Sequence, residues 1–196
     1  MRFVAFAVFA FFAAATAPLA AQEWGPPTVE YTAVLTFTDG RGEMLIHRIA
    51  HTPKRQRLDY KSGDQTEIVV VDQVAAAVFV LYPERKRFLK AALVDPEFDL
   101  GIGRADTKRE KVAEEPVAGL AATKYRIEAK TAQGQEFKGF AWLTAQRILV
   151  KLDGEVKQGR RARRLSMTAS EVKIGPVDAA MFQVPADFTP VEDKRK

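Results

Sequence analysis

The chain has 196 residues and no cysteine, which excludes disulfide frameworks, thiolate metal centres and cysteine nucleophiles. A hydrophobic content of 47% with 28% charged residues excludes a disordered chain, and the length fits one core. The formal charge of +5 comes from short basic runs rather than one block.

Met1-Arg2 is a short positive start, and residues 3–15 then run apolar in Phe, Ala and Val. That order predicts a secretory signal peptide. Cleavage after Ala17 would leave Pro18 first, so Leu19-Ala20-Ala21 before Gln22 is the expected site. The alternative is an uncleaved anchor, but its second half is alanine broken by Thr16 and Pro18. No cysteine follows the signal, so a lipid-modified N-terminus is not expected. The expectation is residues 1–21 as signal peptide and 22–196 as a single β domain in the periplasm, not a lipoprotein. Loss of Arg2 takes the charge from +5 to +4.

Past Trp24-Gly25-Pro26-Pro27, period-two alternation recurs through the chain. In residues 29–38, Val29, Tyr31, Ala33, Leu35 and Phe37 alternate with polar residues. Asp39-Gly40-Arg41-Gly42 turns into a strand over 44–50, which Pro53 ends. Further strands are expected over 56–61, 66–71, 75–82 and 88–93. The stretch 95–103 breaks any strand at Pro96, Gly101 and Gly103 and admits a short helix. Strands resume over 108–113, 124–130, 137–143, 148–152 and 164–173. About ten or eleven short strands joined by tight turns predict a mainly β protein with a single antiparallel curved sheet and few short helices.

Ile68-Val69-Val70-Val71 and Val78-Phe79-Val80-Leu81 are apolar on both faces, so they belong to strands covered on both sides. The second face is either packed by a loop or helix, or it lines an apolar cavity. Val78, Phe79, Val80 and Leu81 are therefore candidate ligand-binding residues. Trp142 shares the even face of its strand with Phe140 and Lys138. Trp142 and Phe140 are read either as core aromatics or as further cavity liners.

His47 and His51 are the only histidines, with the four-residue spacing of helical metal ligands. Here they fall on a strand, where four residues span roughly 13 Å, too wide for one ion. Exposed strand histidines are expected. Gly101-Ile102-Gly103 lacks the third glycine of a dinucleotide loop, and Asp95, Glu97 and Asp99 lack the glycine and final glutamate of a calcium loop. No serine sits in a nucleophile elbow. No catalytic residue, metal or cofactor is expected, and the chain reads as a non-enzyme.

Basic residues cluster at Lys54-Arg55-Gln56-Arg57, Arg85-Lys86-Arg87, Lys108-Arg109, Arg160-Arg161-Ala162-Arg163-Arg164 and Lys194-Arg195-Lys196. They read as solvated turns and strand edges, where charge discourages edge-to-edge pairing. In an exported protein the polyanions they could meet are membrane head groups, not nucleic acid.

Pro53-Lys54-Arg55-Gln56-Arg57-Leu58-Asp59-Tyr60, then Glu67 to Asp72, then Val78-Phe79-Val80-Leu81-Tyr82-Pro83 follow one another in a familiar order. With Val177-Asp178-Ala179-Ala180-Met181-Phe182 and Pro185 near the end, this progression resembles the periplasmic lipoprotein-carrier (LolA-like) superfamily. Val117-Ala118-Gly119, Tyr125 and Trp142 are similar to the outer-membrane lipoprotein-sorting-like domains. The resemblance implies a half-closed antiparallel barrel with an apolar concave side capped by helices. It implies either carriage of acyl chains across the periplasm or service as a sensor or adaptor module.

Two departures stand out. The carriers begin with an amphipathic helix, and they have an arginine where this chain has Thr52. No functional residue is carried over. The expected function is a periplasmic binder or carrier of an apolar ligand, lipid or lipoprotein acyl chain. The alternative is a sensor or protein-interaction module of the same fold with a filled cavity.

Overall fold

Alternation yields strands over nearly the whole chain because each strand has one apolar face to bury. In the computed structural model, residues 25–39, 42, 44–62, 65–93, 107–130 and 134–191 are described, and they form one twelve-stranded sheet. In chain order the strands are β1 (Tyr31–Asp39), β2 (Met44–Thr52), β3 (Arg55–Ser62), β4 (Gln65–Asp72), β5 (Ala77–Tyr82) and β6 (Arg87–Ala92). After an interval come β7 (Lys108–Val117), β8 (Leu120–Lys130), β9 (Glu136–Leu143), β10 (Leu149–Gln158), β11 (Arg161–Ile174) and β12 (Thr189–Val191). All eleven strands expected from the sequence are present. The twelfth has three residues including Pro190 and pairs in parallel with β6, so it carries no alternation to read. Helical structure among the described residues is limited to two 3-10 turns, Pro83–Arg85 and Ala179–Phe182. The short helix expected over 95–103 and the signal segment 1–21 lie outside the described residues.

Across the sheet the order is β12-β6-β5-β4-β3-β2-β1-β11-β10-β9-β8-β7. Two meanders, β1 to β6 and β7 to β11, join where β1 pairs with β11. The sheet is curved and not closed, a half-barrel. Extra residues help it bend: Val112 on β7 and Val150 on β10 each stand between consecutive ladder pairs.

The inner face carries the main core. Tyr31, Ala33, Leu35 and Phe37 from β1 join Ile49, Leu58, Val69, Val80, Ile127, Phe137, Leu152 and Met167 in one buried cluster. That cluster draws buried side chains from every strand from β1 to β11.

Asp72 closes the β4–β5 turn. Its carboxylate accepts from the N–H groups of Val74 (2.8 Å) and Ala75 (3.0 Å) and from Arg55 Nε (2.8 Å). Burial alone would raise this carboxyl, but those donors hold it below the usual carboxylate range.

Candidate functional site

Cross-strand pairing lines the sequence's apolar residues up in rows. On the inner face one row runs Tyr31, His51, Gln56, Val71, Val78 and Ala91. The neighbouring row runs Ile49, Leu58, Val69, Val80 and Leu89. On the outer face the rows are Ala50, Arg57, Val70, Phe79, Lys90 and Arg48, Asp59, Ile68, Leu81, Phe88. The two-sided apolar strands β4 and β5 are thus covered on both sides.

The outer cover is the segment after β11. Phe182, 5% exposed, packs into Ala50, Ile68, Val70 and Leu81, with Phe79, Phe88, Val177, Met181 and Phe188 around it. Polar contacts hold the segment in place. Arg57 Nη1 donates to the Met181 carbonyl at 2.8 Å, and the Val177 N–H donates to Glu30 Oε2 at 2.8 Å. At the far end Thr189 N donates to the Lys86 carbonyl, and Lys86 pairs with Asp187 at 2.9 Å. The strap then continues as β12 along the β6 edge, shielding part of it from pairing with another chain.

The candidate residues therefore fall in three places. Val78 and Val80 face the inner core, Phe79 and Leu81 lie beneath the C-terminal strap, and Phe140 and Trp142 stand on the opposite face of β9 from Phe137 and Ala141, with Trp142 still in contact with the main buried cluster. Trp142 is 3% exposed because Lys124 and Lys151 cover it, their ammonium groups 4.8 Å and 4.5 Å from the ring centroid. Its indole N–H donates to Glu115, and Lys124 also lies 4.5 Å from the Phe140 ring centre.

The histidines correct an expectation. His47 and His51 are 5% and 0% exposed, not surface residues. Both sit on the odd, inner face of β2, a consequence of register that their polar character hides. The His47 ring lies 4.8 Å from Phe37 and 5.3 Å from Tyr60, whose hydroxyl donates to Glu67 at 2.7 Å. His51 lies 5.3 Å from the Tyr31 ring, and its Nε2 is 3.3 Å from the Pro27 carbonyl. A carbonyl only accepts, so neutral His51 carries its proton on Nε2 and leaves Nδ1 as a bare acceptor. Nδ1 of both rings is buried with no hydrogen-bond partner. Among the described residues no three His, Asp or Glu side chains are grouped to hold a metal ion.

Burial pushes His47 down to about 4. It also lowers His51, with the Pro27 carbonyl, the Gln56 side chain and Glu30 opposing in part. A folded-state value below the unfolded one means the unfolded chain binds the extra proton. Stability from neutral His47 is therefore full above pH 6.5 and is lost as pH falls towards 4. The shift corresponds to about 3 kcal/mol. Between neutral pH and about pH 4, unfolding free energies from denaturant curves should fall by about this much more in the wild type than in His47→Leu, since carboxylate effects are common to both. Parallel acid dependence of the two proteins would show that His47 protonates freely in the fold.

No protein-family model matches the sequence, and no curated protein matches it. Solved structures match it by fold. An uncharacterized conserved protein from Thermus thermophilus superposes with TM-score 0.55 at 13% identity, over 84% of this chain and 90% of that one. MucB superposes with TM-score 0.52 at 14% identity, over 82% of this chain and 59% of MucB. MucB in the MucA/MucB complex of Pseudomonas aeruginosa gives the same score over 84% of this chain and 59% of that one. The chain spans less than two thirds of MucB. At such identities the likeness is one of fold, the LolA-like half-barrel. Among the described residues no helix is long and apolar enough to cross a membrane.

Proposed function

We propose that this protein is an exported, non-enzymatic interaction module that uses the half-barrel to hold a protein partner. The observation that carries the reading is the burial of side chains on both faces of the central strands. Val69, Val71 and Val78 are at most 1% exposed on the inner side, and Ile68, Val70 and Leu81 are 9% or less beneath the strap. An acyl chain needs an open apolar hollow, and such low exposures on both faces favour a packed interior. The fold neighbour MucB, solved in complex with MucA(peri), supports a binding role for such a half-barrel.

One observation favours a second reading, a carrier of an amphiphile. The bare Nδ1 atoms of His47 and His51 lie in the apolar inner core, where a ligand hydroxyl or amide N–H would satisfy them.

A native mass spectrum of the protein recovered from the periplasm tests both points at once. The interaction reading expects a chain beginning at Gln22 with no bound lipid. A lipid adduct that survives purification and is lost on denaturation would overturn it in favour of the carrier. An intact Met1 form in the inner membrane would overturn export.

A further inference from the structure

Basic residues stand at both ends of the half-barrel but are sparse at one: there the turns between β4 and β5 and between β7 and β8 are uncharged, while those between β2 and β3 and between β9 and β10 carry Lys54 and Arg147. At the other end lies the β10–β11 hairpin, Lys157-Gln158-Gly159-Arg160-Arg161-Ala162-Arg163-Arg164. Five of these eight residues are basic, and all eight are exposed.

A two-residue turn makes the hairpin sharp. Gly159 takes φ +60°, the left-handed region that such turns need. The ladder with β1 ends at Asp39 opposite Leu165, so Arg161 to Arg164 run beyond the last β1 pair. Four residues extend roughly 13 Å. Alternation then spreads the charge around the hairpin. Lys157 and Arg164 share the outer face, Arg161 and Arg163 the inner one, and Arg160 occupies the tip. Arg164 is engaged with Asp153 at 3.2 Å, Arg163 also has a partner, and Lys157 stands opposite Glu136 of β9 in the ladder.

We propose that this end of the molecule docks end-on against an anionic phospholipid surface. Basic side chains on both faces and the tip of one hairpin can all reach a plane that meets the strands end-on. The tip has no aromatic or large apolar side chain, so it offers neither a base-stacking platform nor an anchor for a protein pocket. What remains is diffuse attraction to a negative surface, which falls off within a Debye length. The inference goes beyond the interaction reading and does not depend on it, since the half-barrel's packed faces take no part.

The test is flotation of the full chain with phosphatidylglycerol–phosphatidylcholine vesicles. Phosphatidylcholine vesicles alone give the contribution of the apolar N-terminal segment, which is subtracted. Binding to the anionic vesicles should fall steeply with salt. At about fivefold per basic residue near the surface, Lys157→Ala/Arg160→Ala/Arg161→Ala should weaken partitioning roughly 100-fold. The charge-matched triple Arg48→Ala/Lys54→Ala/Lys173→Ala, away from the hairpin tip, should change it by less than about fivefold. Arg160→Lys/Arg161→Lys keeps the charge and should keep the binding, which separates charge from any damage to the hairpin. Equal losses in the two alanine triples, equal binding to neutral vesicles, or tight binding to duplex DNA without binding to vesicles would each overturn the proposal.

Discussion

Phe182→Ala is expected to destabilise the fold by about 3–5 kcal/mol, although the residue lies in a short turn outside the main sheet. Its ring is 5% exposed and forms the centre of the outer cluster with Ala50, Ile68, Val70 and Leu81. Removing it opens a cavity between strap and sheet that the backbone cannot close, because Arg57 and Glu30 hold the segment in place. Leu81→Ala, on the strand beneath, should cost about 2–5 kcal/mol, and the double variant should cost less than the sum. Val78→Ala on the inner face should cost about 2 kcal/mol, so both faces of β5 behave as structure. Urea unfolding measures all of these. If Phe182→Ala left the midpoint unchanged, the strap would be a loose cover, and the outer face of β4 and β5 would be open to a ligand.

A comparable loss is expected from a single methyl group at Gly154 or Gly139. These residues pair directly across β9 and β10. A Cβ at Gly139 would press on the Asp153 carbonyl and lie 2.5 Å from Gly154 Cα. One at Gly154 would press on the Lys138 carbonyl and lie 2.6 Å from Phe137 Cζ. Both obstacles include backbone, so relief requires the strands to part. Either alanine substitution should cost on the order of 3–5 kcal/mol, more than ordinary overpacking. Adding Phe137→Ala should not rescue Gly139→Ala, whose nearest obstacles are all backbone. Thermal melting of the variants checks this, and an unshifted midpoint would show that the two strands separate freely. The phenyl ring of Phe137, 5% exposed on the same face, covers the bare pair, a device that lets a strongly curved sheet keep its glycines.

The strand pattern was legible because alternation is local: a half-buried strand writes its period into adjacent residues. The two-sided apolar runs in β4 and β5 correctly announced cover on both faces, for the same reason. What covers the outer face was not legible. Residues 176–188 have no period, and nothing in Met181-Phe182 says that it folds onto Ile68 and Leu81, more than a hundred positions away.

The histidines show the same boundary from the other side. Their places on one face of β2 follow from an even spacing, yet their polarity suggested solvent. Which face turns inward is decided by Leu45 and Ile49 beside them and by Tyr31, Phe37 and Tyr60 on the neighbouring strands. Phe140 and Trp142 shared a face, as alternation required, but only pairing with β8 and β10 placed that face beneath Lys124 and Lys151. For this protein the sequence alone determined the class of fold, the run of eleven strands and the residues that share each face, all properties of neighbours along the chain. The tertiary structure alone decided which face is inside, that the C-terminal strap closes the outer side, that two histidines are buried without partners at Nδ1 and that two glycines meet. Each of these depends on segments brought together by strand pairing and curvature, which no local period records.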